Sequence, residues 1–229
     1  MARPRKFSRA RLQQAALALV DRDGLAGLSM RALAARLETG AMTIYTHVGS
    51  REELDLLVVD AVVGAARWPR RPRPDWRDEV RDVATAAWRA VRAHPEAIPL
   101  ILVRRTRSAA ALGVAEALLA ALARSGRSRR RLLVAFRAVS ALVMGFAQAE
   151  LAGPLSRRAG EPAGAVVRRV RALPREAFPR LIEIAAAAAT SDAESEFRHG
   201  LDLLLAGLAA SGTRARAPRR RRPRAARAR

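Results

Sequence analysis

Between Met42 and Val48 the chain sets Thr43, Tyr45, Thr46 and His47 around two aliphatic residues, Ile44 and Val48. Residues four apart on a helix share a face. Ile44 and Val48 therefore point inward, and the hydroxyls, the phenol and the imidazole mostly point outward. An ordinary solvated helix shows a mixture of lysine and glutamate; this one shows hydrogen-bonding groups of modest size. Such groups suit phosphate oxygens and base edges in a DNA major groove. A helix this short does not stand alone in water, so its neighbours must hold it.

Those neighbours are legible. Upstream, Ser29 can cap a helix in which Leu33 and Leu37 again fall four apart. Gly40 lies where a helix-turn-helix needs its sharp bend. Downstream, Gly49 is expected to close the short helix as a left-handed cap. Ser50 and Glu53 then form a capping box for a helix from Arg51 to about Ala66, with Leu54, Leu57, Val58, Ala61 and Val62 inward. Ahead of all this, Ser8 to Asp23 carries the amphipathic stripe Leu12, Ala15, Ala16, Leu19 and Val20, and Gly24 ends it. Leu28 can staple the start of the second helix.

Half of the 229 residues are hydrophobic and only 4% are aromatic. The apolar content is mostly Ala, Leu and Val, with strong helix formers prominent and no convincing period of two. The expected fold class is all-α. The absence of cysteine excludes disulfides and thiolate chemistry and fits a reducing cytoplasm, the expected location. No uninterrupted apolar run of about 18 residues occurs, so no membrane span is expected. Residues 1–10 lack the apolar core of a signal peptide. No P-loop, dinucleotide glycine pattern or nucleophile–base motif is present, which argues against an enzyme. His47, His94 and His199 are separate, without further ligands at metal spacing; no metal or cofactor is expected.

The formal net charge is +22, which favours an anionic partner. Its placement is uneven: residues 213–229 hold nine arginines and no acid. That Arg/Ala/Pro tail is expected to be disordered. It either raises DNA affinity by counterion release or is a neutral extension. The basic arm at residues 1–7 is either a frayed terminus or an extension that touches DNA.

Trp68 to Trp76 contains three prolines, which forbid a continuous helix. The expected division is 1–66 for DNA binding, 67–212 for a second helical domain and 213–229 for the tail. In the second domain Asp75 can cap a helix to about Ala93. Further helices are expected over Ile98–Arg105, Gly113–Ser125, Leu132–Leu151, Val166–Leu173, Phe178–Ala189 and Asp192–Gly212. Leu132–Leu151 is apolar nearly all round, as in helices buried on more than one side. The last helix carries Phe197, Leu201, Leu204, Leu205 and Leu208. The excess of apolar surface on these two helices points to a second subunit.

Residues 8–60 resemble the N-terminal domain of the tetracycline-repressor (TetR) family. Gly24, Leu28, Ser29, Met30, Arg31, Leu33, Ala34, Leu37, Thr43, Ile44, Tyr45, His47, Val48 and Leu54 carry the likeness. Glu38-Thr39 departs from the commoner Gly-Val pair at the turn. The resemblance implies that Met30 and Arg31 approach the backbone and a base edge. It implies that Ala41, Met42 and Thr43 reach bases, and that Tyr45, His47 and Arg51 bind phosphates, with Thr46 beside them. HPEAIPLIL, VMGFAQAE and FRHGLDLLLAGL resemble pieces of the ligand-binding C-terminal domain of such regulators. This implies a four-helix homodimer interface, for which Leu132, Phe197, Leu201, Leu204, Leu205 and Leu208 are candidates. Trp88, Leu102, Phe136, Val139 and Met144 are candidates for the effector pocket. The expected function is a homodimeric regulator, a repressor released from a palindromic operator in double-stranded DNA by a small molecule. The competing reading is a non-specific, arginine-driven nucleic-acid-binding protein.

Overall fold

The computed structural model describes residues 8–152, 155, 161–162 and 164–213. The basic arm and the arginine tail beyond Thr213 lie outside the described residues. Among those described, all regular structure is helical.

The N-terminal head comprises α1 (Arg9–Gly27), α2 (Met30–Arg36), α3 (Ala41–Tyr45) and α4 (Arg51–Gly64). Three serines start three of these helices. Ser8, Ser29 and Ser50 accept from the backbone N–H of Arg11, Ala32 and Glu53 at 3.2, 3.1 and 3.2 Å. Each satisfies a donor that has no intrahelical partner. Leu12, Leu19, Leu28, Leu33, Ile44, Val48, Leu54 and Val58 are fully buried in one shared interior. Gly24 breaks α1 near its end with φ 67°, as its position suggests.

Gly40 lies in the bend, as expected, but the left-handed closure expected at Gly49 does not form. Gly40 is extended at φ −76° and caps α3; the left-handed residue is Glu38, at φ 53°. Gly49 has no positive φ. Instead α3 stops at Tyr45, and the N–H groups of His47 and Val48 both return to the Ile44 carbonyl at 2.9 Å. A two-residue wrap of this kind needs no left-handed closure. The Gly49 N–H donates to Glu53 Oε2 at 2.7 Å, so the capping box closes one residue before Ser50.

The body contains α5 (Trp76–Arg92), a 3-10 turn (Pro95–Ala97), α6 (Ile98–Arg104), α7 (Ala109–Ala123), α8 (Arg129–Ala152), α9 (Ala165–Arg171), α10 (Pro179–Thr190) and α11 (Ala193–Thr213). Asp75 caps α5 by accepting from Arg77 N–H at 2.9 Å. Helix α7 starts four residues before the expected Gly113, because Ser108 Oγ accepts from Ala111 N–H at 3.1 Å. Helix α11 runs past Gly212 to Thr213.

Helix α5 is central, packing on α7, α8 and α11 and touching α4. Its Trp88 is fully buried and stacks on Phe197 of α11 at 4.7 Å and 3°, while Phe146 of α8 stands edge-on to Phe197 at 5.6 Å and 84°. Helices α8 and α11 approach closely at Gly200, where a Cβ would stand 2.9 Å from the Phe146 ring. Helices α9 and α10 share a small cluster of their own around Val166, Val170 and Ala185.

Arg129–Ala149 is long and apolar enough, by composition alone, to pass for a bilayer span. Arg137 within it had divided the apolar stretch. The inward face, Ala135, Val139, Val143 and Ala147, lies in the protein's own core.

Candidate nucleic-acid interface

Helix α3 is held by Ile44, which is fully buried, and Val48 just beyond it is fixed in the same way. Met42 and Tyr45 project, 78% and 51% exposed. Thr46, His47 and, from α2, Arg31 are also exposed, whereas Met30, Ala41 and Thr43 are half-buried. Of the residues singled out for DNA contact, the head leaves Arg31, Met42, Tyr45, Thr46, His47 and Arg51 exposed. Thr46 is partly committed: its hydroxyl donates to the Thr43 carbonyl at 2.7 Å. That leaves its oxygen lone pairs, which suit a base amino group better than a phosphate.

Arg51 is engaged more firmly. Its guanidinium donates to the Leu28 carbonyl at 2.7 Å and to Asp55 Oδ1 at 2.9 Å. It ties the start of α4 to the residue before the Ser29 cap, so it fixes where α2 begins. With its side chain 55% exposed, it presents the remaining guanidinium surface outward.

Behind the head a row of α4 acids meets the body. Asp55 is only 4% exposed. Besides Arg51 it takes Arg104 of α6, at 3.3 Å. Arg104 also pairs with Glu52 at 2.6 Å, and Arg107 reaches the other Glu52 oxygen at 2.5 Å. The hydrogen bond from Arg107, its charge and that of Arg104 hold the Glu52 carboxyl below its ordinary range. Ser108 Oγ donates to Asp60 Oδ1 at 2.5 Å, and Arg9 closes on Asp60 at 3.0 Å. His94 Nδ1 lies 3.0 Å from Asp21 of α1. None of these braces was among the sequence-derived sites. A signal existed: Asp55 and Asp60 interrupt an otherwise aliphatic run, and an acid there needs a partner.

The pocket and interface candidates divide. Trp88, Val139 and Met144 are buried in one core, with Phe136 half-buried against it; Leu102 lies apart, 40% exposed. Phe197, Leu201 and Leu205 are fully buried within the protomer, which corrects their assignment to a subunit interface. Their i, i+4 spacing places them on the inner side of α11. Leu132, Leu204 and Leu208 are half-buried. The large apolar side chains of these two helices that face out are Leu133 and Val134 of α8 and Leu203 of α11, 45%, 61% and 78% exposed, all missed from sequence.

A helix-turn-helix head braced on a larger helical body defines a DNA-binding transcriptional regulator. Residues 12–56 match the family described as bacterial regulatory proteins, tetR family, and residues 68–211 match the tetracyclin repressor-like C-terminal domain. An HTH-type transcriptional regulator of Saccharopolyspora erythraea is 35% identical over 216 residues, covering 91% of this chain and 90% of that one. Apo ActR from Streptomyces coelicolor superposes with a TM-score of 0.74 at 28% identity, covering 94% of this chain and 99% of that one. ActR in complex with actinorhodin gives 0.70 at 27%, covering 90% and 98%. The chain belongs to the tetR family, a family of transcriptional regulators.

Proposed function

We propose that this regulator is a homodimeric repressor that grips a palindromic operator and leaves it when a small molecule binds the C-terminal domain. It acts in the cytoplasm, with domains dividing near residue 66 and the arginine tail from 213 as an accessory. The observation that carries the reading is the outward face of α3, with Met42, Tyr45, Thr46 and His47 presented by a buried Ile44 and Val48. Arg31 supplies the strongest base reader, since a guanidinium forks onto guanine. Tyr45 and His47 take phosphates, and Arg51 adds a phosphate contact while it braces α2.

The exposed Val134 and Leu203, with the exposed Ala141, Gly145 and Gly207 on the same helices, suit close packing of α8 and α11 against a second copy. Two heads then address half-sites about one helical turn, ~34–36 Å, apart. ActR holds actinorhodin in one solved structure and (S)-DNPA in another, which supports a small-molecule effector here. Trp88, Phe136, Val139 and Met144 are the residues an effector would part. The braces from α6 to α4 would carry that change to the head. A nearly complete switch needs about 5.5 kcal/mol of differential binding.

Selection of bound sequences from random DNA, with the full chain and with a chain ending at Gly212, tests the reading. The expected product is one symmetrical site, enriched by both proteins. Enrichment without symmetry, lost with the tail, would replace the repressor by a non-specific arginine-driven binder.

A further inference from the structure

Between α5, α11 and residues 67–69 lies an open cleft of about 400 Å³. Trp68, Pro69, Ala86 and Leu201 give it apolar walls, and four arginines reach it. Their charge is incompletely balanced. Arg81 is matched by Asp202 and Asp78, both at 2.6 Å. Asp82, also at the cleft, is taken by Arg73 at 3.0 Å. Arg89 and Arg198 share a single carboxylate, Glu194. Among the described residues Arg67 donates to the carbonyls of Gly64 and Ala66 and to no carboxylate. Among those residues, two of the cleft's cations thus divide one acid and a third meets none.

Thr85 supplies an independent observation. It lines the cleft, is only 8% exposed, and its hydroxyl enters none of the hydrogen bonds among the described residues. The hydroxyl is not among the buried unpaired polar atoms of the described residues, so solvent in the cleft reaches it, and a ligand acceptor can take the place of that water. Surplus guanidinium, an open hydroxyl and a flat apolar wall together match one chemistry. Guanidinium binds carboxylate through short charge-assisted bonds, and an indole offers a ring-sized apolar surface.

We propose that this cleft binds a small aromatic carboxylate. Arg67 and Arg198 hold the carboxylate, Thr85 donates to it, and the ring rests on Trp68 and Pro69. The site stands apart from the core around Trp88 and Phe136, so its existence does not depend on which molecule releases the operator.

The test is calorimetric titration of the full-length protein with 2-naphthoate, beside 2-naphthamide and inorganic phosphate. Saturable binding of naphthoate is expected, about tenfold tighter than the amide, with phosphate weaker still. Arg67→Gln and Arg198→Gln should each weaken naphthoate binding about tenfold. Thr85→Val keeps the shape and the charge and should weaken it severalfold. If an arginine variant melts early, the Thr85→Val titration decides. Absence of naphthoate binding, equal binding of the amide, or full affinity in Thr85→Val and in the folded arginine variants would overturn the proposal.

Discussion

Arg104 of α6 reaches the buried carboxylate of Asp55 on α4 at 3.3 Å, and the other Asp55 oxygen takes Arg51 at 2.9 Å. Because Arg51 also donates to the Leu28 carbonyl, three side chains connect the body to the first residue before the α2 cap. Arg104→Ala removes one of two cations from a carboxylate that is 4% exposed. A loss of about 1–3 kcal/mol is expected in urea unfolding. A double-mutant cycle with Asp55→Asn should return a coupling of at least about 0.5 kcal/mol; strict additivity would show that the contact carries no energy.

Glu38 occupies a left-handed conformation, at φ 53°, that costs an ordinary residue about 1–2 kcal/mol. Glycine adopts it freely but loses more chain entropy on folding. Glu38→Gly should therefore stabilise the head by a net ~0.5–1 kcal/mol, visible as a raised denaturation midpoint. A lowered midpoint would mean that the glutamate side chain contributes more than its backbone costs.

The Glu52 carboxyl is depressed by its hydrogen bond from Arg107 and by the charges of Arg107 and Arg104. A depressed acid contributes stability above its unfolded pKa and loses it as pH falls through the folded value. The stability difference between the native chain and Glu52→Gln should be constant near neutrality and shrink on acidification below about pH 4. A difference that persists unchanged into acid would assign the effect to packing rather than charge.

On the DNA side, Tyr45→Phe deletes one hydroxyl and should weaken operator binding by about 0.5–1.5 kcal/mol. A phosphate contact weakens all sequences alike, so base preference should stay. Arg31→Ala should cost about 1–3 kcal/mol and relax preference at one position in each half-site. Binding titrations against single-base operator variants separate the two outcomes.

Leu203→Arg places a cation on the most exposed apolar position of α11. Sedimentation at micromolar concentration should show a monomer that keeps its helical content. A dimer of undiminished strength would move the subunit contact away from this face.

Most of the head was readable because three of its four helices announce themselves twice, by a serine cap and by aliphatics at four-residue spacing, and α3 does so by the Ile44–Val48 pair. The turn was not. Gly49 drew the left-handed assignment, yet the strained position fell to Glu38, since local hydrogen bonds to Ala34 and Ala35 fix the chain there. On α11 the aliphatics are too numerous for periodicity to say which face is outermost. Phe197, Leu201 and Leu205 went inward, and Leu203, two residues from Leu201 and from Leu205, did not. The braces between α4 and α6 join residues some fifty positions apart, a pairing that no local pattern carries.

Trp88 lies sealed against Phe197, and its indole nitrogen has no hydrogen-bond partner among the described residues. Such a chromophore emits toward the blue and stays silent to changes in the solvent. Any event that slides the first long helix of the body against the last one would redden it. The molecule therefore carries its own optical gauge of internal rearrangement, readable without a label once Trp68 and Trp76 are replaced by phenylalanine.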